Sequence, residues 1–147
     1  MQRHAPSPRP ANQRAHQQWQ LGQAHASRGR WQDAEKAFSS ATRLAPRDGV
    51  YALNLARALL RLGKTAHAAR EARRAFDIDR RNTVACAFLA HCLEAQTQHA
   101  EAVQCLRELD PEVPREHDYH ETLARALHKS GRPQEAIAAY FDTLAIR

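Results

Sequence analysis

Residues 49–82 read GVYALNLARALLRLGKTAHAAREARRAFDIDRRN, and that stretch describes one helical hairpin. Leu55, Ala56, Leu59 and Leu62 recur at the spacing of a single helix face, which predicts a helix over 50–62. Gly63 then stops it, because glycine takes the left-handed turn that ends helices at no steric cost. A second helix is expected over 65–78, with Thr65 as its N-cap. Residues 79–82 turn the chain onward.

Stepping away from this hairpin by 34 residues returns the same residue types. Leu55 has Leu21, Leu89 and Leu123 as counterparts; Ala56 has Gly22, Ala90 and Ala124. Gly63 corresponds to Gly29, Thr97 and Gly131, and Ala68 to Ala34, Ala102 and Ala136. Phe38, Ala72, Leu106 and Tyr140 form a further column. The register needs no insertion or deletion across four copies, at 15–48, 49–82, 83–116 and 117–147. A fixed period of this length marks a stacked repeat whose units cannot bury their apolar faces alone. The small columns let helix backbones approach, and large residues such as Leu59, Phe38 and Tyr140 fill the space between them. Pro46, Pro111 with Pro114, and Pro133 fall at expected helix boundaries, where proline is tolerated. Asp110-Pro111 should end the second helix of the third copy early and leave an irregular turn before Glu116.

These residues resemble the tetratricopeptide repeat. Leu21-Gly22, Gly29, Ala34, Phe38, Ala41 and Pro46 stand where that family's pattern places them, and the resemblance covers 15–147. It implies an all-α fold, a right-handed superhelical solenoid of antiparallel helix pairs, filling 12–147. Residues 1–11, with Pro6, Pro8 and Pro10, read as a flexible basic tail.

The bulk numbers agree with a single helical domain. The chain has 147 residues, 43% of them hydrophobic and only 6% aromatic, with alanine prominent. Its net charge of +6 favours acidic partners, but the positive residues are dispersed. Arg70, Arg73, Arg74, Arg80 and Arg81 do cluster, yet Glu71, Asp77 and Asp79 are interleaved and no aromatic row accompanies them, so nucleic acid is not the expected partner. Cys86, Cys92 and Cys105 fit no disulfide framework or zinc spacing and read as small buried side chains of a reducing compartment. No run approaches the length of a membrane span, and no secretory segment is visible, so the expected location is the cytoplasm. There is no phosphate-binding glycine loop, HExxH or GxSxG, so the chain is read as a binding module and not an enzyme, with no cofactor or metal. His117 and His120 supply half a metal site by spacing and no more.

The resemblance implies that the first helices of the pairs line a concave groove for a peptide or partner protein. The groove residues would then be Trp19, Gln20 and Gln23, followed by Asn54, Arg57, Arg61, Phe88, His91, Thr122, Arg125 and His128. Asn54 falls where some members carry an asparagine that grips a peptide backbone, since an amide side chain pairs with both N–H and C=O. Gln20, Phe88 and Thr122 occupy the equivalent places, so no asparagine ladder is present. Arg57, His91 and Arg125 share a column, which suggests a preference for acidic or C-terminal carboxylate ligands; the same side chains also read as an ordinary solvated face. At the end of the chain, Ile137, Phe141 and Leu144 form an apolar association surface, to be covered by a second copy or by further chain. A single exposed phenylalanine is also common on surfaces. The leading expectation is a protein-interaction scaffold. The alternatives are the docking module of a larger enzyme, since such repeats often precede glycosyltransferase or sulfotransferase domains in bacterial proteins, and a secretion or assembly chaperone.

Overall fold

The computed structural model describes residues 10–145. Eight helices and no strand occur among them: α1 Ala11–Ser27, α2 Trp31–Leu44, α3 Gly49–Arg61, α4 Thr65–Ile78, α5 Thr83–Ala95, α6 His99–Arg107, α7 His117–Lys129 and α8 Pro133–Ala145. Each packs on its chain neighbours, and α5 also approaches α7. The tail read over 1–11 lies outside the described residues as far as residue 9, and α1 is already helical at Ala11.

The small columns do what their size allows. Ala56, Ala90 and Ala124 are fully buried, as are Ala34, Ala68 and Ala102. At Gly22 the approach is closer still, because a Cβ there would sit 2.5 Å from two ring carbons of Phe38. Phe38, Phe76, Leu59, Leu89 and Leu106 fill the remaining space.

The turn inside each pair repeats one hydrogen-bonding motif. Gly29, Gly63 and Gly131 take φ of 72°, 79° and 81°, and the residue after each donates its N–H back five positions to close a six-residue turn: Arg30 to His25, Lys64 to Leu59 and Arg132 to Leu127, each at 2.9 Å. Thr97 adopts the same left-handed φ, at 59°, and Gln98 N–H donates to the Leu93 carbonyl at 2.8 Å. This motif sets the entry into α2, α4 and α6, and none of the three carries a side-chain cap. Thr65 is therefore not the N-cap expected of it; Lys64 holds that position and Thr65 is the first helical residue. Side-chain caps occur between pairs instead. Asp48 accepts from the Val50 and Tyr51 N–H groups, and Asn82 from that of Ala85.

The third copy departs from the plan where its sequence does. α2 and α4 have 14 residues each, whereas α6 has 9 and stops at Arg107. Residues 108–116 then form an ordered turn. Arg115 holds it, donating to the carbonyls of Leu109 (2.8 Å), Asp110 (2.6 Å) and Val113 (2.7 Å) while its guanidinium lies 5.0 Å from the Tyr119 ring centroid. The Asp110 N–H donates to the Arg80 carbonyl, tying this turn to the preceding one. No described helix is long and apolar enough to cross a membrane.

Candidate ligand-binding groove

The residues expected to line the groove all lie on α1, α3, α5 and α7, but they differ in what they can offer. Trp19 is half-buried, stacked with His16 at 5.4 Å and tilted against Tyr51 at 6.2 Å. Gln20 and Gln23 are exposed on α1. Asn54 is half-buried, and its amide donates to the Val50 carbonyl of its own helix at 2.8 Å, leaving its oxygen and second N–H for another partner. Arg61 lies over the Trp31 ring at 5.2 Å. Arg57 is exposed with no acidic partner within ion-pair distance among the described residues. Arg125, in the same column, is paired with Glu94 at 3.5 Å, and Glu94 also faces His99 at 3.8 Å. The arginine column is thus not a continuous free positive stripe: one member is free and one is largely neutralised. His128 is exposed near the end of α7.

Phe88, His91 and Thr122 are brought together. They line a cavity of about 480 Å³ between the N-terminal halves of α5 and α7. Its floor is Cys86, Leu106 and Leu109, and Tyr119 forms one wall. Val84, half exposed, stands at its lip with Thr83, and Pro114, Glu116 and Asp118 border it from the turn and α7.

The sequence accounts for this cavity in retrospect. In the second copy Phe76 is fully buried in the last turn of α4. Its counterpart 34 residues on is Asp110, which lies beyond the end of α6 in the Arg115-held turn. With α6 stopping at Arg107, no large side chain among the described residues occupies the corresponding place between α5 and α7. Leu109 covers only the floor. The replacement of Phe by Asp in that column, followed by proline, was the available signal.

The floor is buried, the wall is hydrogen-bonded, and both are chemically quiet. The Tyr119 hydroxyl donates to the Leu106 carbonyl at 2.9 Å, and burial pushes its pKa up despite Arg115 beside it. Cys86 and Cys105 are buried free thiols in mutual contact. The Cys86 thiol donates to the Cys105 carbonyl at 3.6 Å and the Cys105 thiol to the Ala102 carbonyl at 3.2 Å, and burial beside Cys86 pushes the Cys105 thiol up. Burial likewise pushes the Cys92 thiol up to about 11. The mouth is acidic: Glu116 and Asp118 are exposed, and neither has a cationic partner within ion-pair distance among the described residues. His117 pairs instead with Glu121 at 3.4 Å, and His120 packs edge-on to Tyr119. Among the described residues no three His, Cys, Asp or Glu side chains are grouped to hold a metal ion.

A second surface lies at the other end of the stack. Ile137, Phe141 and Leu144 are 55%, 66% and 57% exposed on α8, with Tyr140 beside them. Most of the counterparts of Ile137, Tyr140 and Leu144 in earlier copies, among them Val103, Leu106, Ala72 and Phe76, are buried under a following pair.

Three family models described as tetratricopeptide repeat match the sequence, over residues 20–82, 59–126 and 118–140. No curated protein matches it by sequence. Among solved structures, the crystal structure of MamA superposes with a TM-score of 0.79 at 16% identity, covering 89% of this chain and 77% of that one. YrrB, described as a tetratricopeptide repeat protein with an unusual peptide-binding site, gives 0.77 at 17% identity, over 90% of this chain and 69% of its own. The first such domain of Spaghetti (RPAP3), bound to an HSP90 peptide, gives 0.69 at 20% identity, over 80% and 95%. At these identities the likeness is one of fold.

Proposed function

The chain belongs to the tetratricopeptide repeat family, and we propose that it is an interaction scaffold whose groove on α1, α3, α5 and α7 holds a segment of a partner protein. The observation that carries this is the preformed cavity between α5 and α7, which opens among the groove residues Phe88, His91 and Thr122. A surface that is already shaped loses little freedom on binding, so more of the contact energy appears as affinity. The peptide bound by RPAP3 and the peptide-binding site of YrrB support the same mode here. Along the groove, Arg57 and the free valences of Asn54 suit an acidic group or a peptide backbone over α3. The three buried thiols support a reducing compartment, the cytoplasm. Affinity capture with the native chain and with the double variant Asn54→Ala/Arg57→Ala tests the reading. The same partner should be retained by the first and lost by the second, and equal retention by both would count against the groove.

The exposed face of α8 supports a second role, association of two copies through that face. The corresponding outer side of α1 is mostly polar, with Gln17, Gln18 and Arg28 where α3 has Tyr51, Ala52 and Leu62, so stacking α8 on α1 of another copy would bury polar groups. Pairing α8 with α8 avoids that cost. Sedimentation should show a dimer that Phe141→Glu converts to monomer; an unchanged monomer at high concentration would remove this role.

A further inference from the structure

The groove reading leaves open what chemistry the groove selects, and the cavity between α5 and α7 answers part of that. We propose that it takes one large aliphatic or aromatic side chain of the partner segment, with basic residues flanking that anchor. The inference rests on the groove reading and specifies its ligand.

Size and lining come first. A volume of about 480 Å³ lies within the range of ligand clefts, roughly 300–1,000 Å³, and admits a side chain with part of its backbone. The apolar part of the lining is Val84, Ala87, Phe88, Leu106, Leu109 and Pro114. Of the polar side chains that line it, the Tyr119 hydroxyl is committed to the Leu106 carbonyl, Thr83 and His91 are exposed, and Thr122 is half-buried. A polar ligand group set against Leu106, Leu109 and Phe88 would lose its water without a partner there, whereas an apolar one only displaces water.

Charge at the mouth then narrows the occupant. Glu116 and Asp118 border the opening, with no cationic side chain within ion-pair distance of either among the described residues. The Arg115 guanidinium has its donors turned into the turn and so does not offset them at the mouth. Acidic amphiphiles such as fatty acids would bring their carboxylate against these two groups. An apolar side chain between lysines or arginines brings the complementary charge. The cavity also opens on the face that continues along α3 and α1, where an extended segment can run on toward Arg57. This predicts a ligand that is basic near the anchor and acidic only further along, unlike a uniformly acidic peptide.

Titration calorimetry with short synthetic peptides in a neutral Gly/Ser host tests the proposal. One carries a central leucine between arginines, a second replaces that leucine by alanine, and a third replaces the arginines by glutamates. The leucine–arginine peptide should bind, and the alanine peptide should bind about 10- to 100-fold more weakly, the value of burying one such side chain. The glutamate peptide should be weaker still at low salt. Ala87→Trp, at an exposed position on the mouth, should abolish binding with an unchanged melting temperature. Glu116→Gln/Asp118→Asn, a surface change that keeps the fold, should erase the preference for arginine flanks. Equal binding of the leucine and alanine peptides, a preference for glutamate flanks, or binding indifferent to both variants would overturn the proposal. So would N-acetyl-leucinamide binding as tightly as the peptide, which would reassign the cavity to a small molecule. If no peptide binds, the anchor proposal fails, while the groove reading is still decided by the Asn54/Arg57 capture experiment.

Discussion

Replacing Arg115 by alanine should loosen the fourth copy while leaving the first two nearly untouched. Arg115 makes three charge-assisted bonds, at 2.6–2.8 Å, to the carbonyls of Leu109, Asp110 and Val113, and lies over the Tyr119 ring. Each such bond is worth about 1.5–3 kcal/mol where water cannot replace it, and the ring contact adds about 0.5–1 kcal/mol. The turn is only partly buried, so water will re-solvate some of those carbonyls, and a net loss of about 2–4 kcal/mol is the reasonable expectation. That loss is local, because a repeat stack is held by intrinsic unit stabilities and nearest-neighbour interfaces. Here the affected interface is the one joining α5 and α6 to α7 and α8. The opening free energy of residues 117–145 should therefore fall, speeding their amide exchange by roughly 30- to 1,000-fold. Hydrogen exchange read by mass spectrometry measures this directly, with α1–α4 as the internal control. Arg115→Lys should lie between, since an ammonium lacks the planar fork that reaches several carbonyls together. Equal loss of protection along the whole chain, or none in α7 and α8, would refute the reasoning.

Three further expectations follow from single residues. Gly22→Ala gains about 1 kcal/mol in helix propensity but places a methyl 2.5 Å from the buried Phe38 ring, at a cost of about 1–3 kcal/mol, so it should lower the urea midpoint, and Phe38→Leu in the same chain should restore it. Thr97→Gly removes a β-branched residue from φ 59°, a strain of roughly 1–2 kcal/mol only partly offset by the looser unfolded chain, so it should raise the melting temperature. Burial pushes the Glu108 carboxyl up, but hydrogen bonds and charge from Arg73, at 2.8 Å, and from Arg80 outweigh it and hold the pKa below the ordinary 4.5. A depressed folded-state pKa means stability that is complete above the unfolded value and lost as pH falls through the folded one. Glu108→Gln should accordingly be less stable than the native chain at pH 7, with the difference closing as pH falls below 4.5 in acid unfolding.

The stack was legible in the sequence because its grammar is one of size. Glycine or alanine in the Gly22 and Ala34 columns has a single physical use, close approach of backbones, and it repeats without a gap. The turn at Thr97 was legible from register alone, although nothing in a threonine asks for a left-handed conformation. Thr65 misled because a hydroxyl residue before a helix resembles a cap, whereas here the six-residue backbone bond from Lys64 to Leu59 already fixes the entry. The groove was less legible. A column of Arg57, His91 and Arg125 does not reveal that Glu94, on the neighbouring helix, takes up Arg125. Nor does it reveal that Arg61 is held over Trp31. Such pairings cross helices and depend on rotamers, which spacing does not encode.

A stack of identical copies would present an almost uniform groove, so whatever selects a partner has to come from departures. Two departures flank one element. α6 is entered through Thr97, held in a conformation that glycine serves in the other copies, and it is left early at Arg107 through the turn that Arg115 pins. Local rules are broken at both ends of the shortest helix, and the space that its missing turns leave is the cavity among Phe88, His91 and Thr122. Residues that depart from a consistent pattern are where function is to be sought first, because regular packing would have been the more stable choice. The truncated helix and the apolar cavity are thus one feature, and its position in the third copy puts the selective part of the groove toward the C-terminal half of the stack.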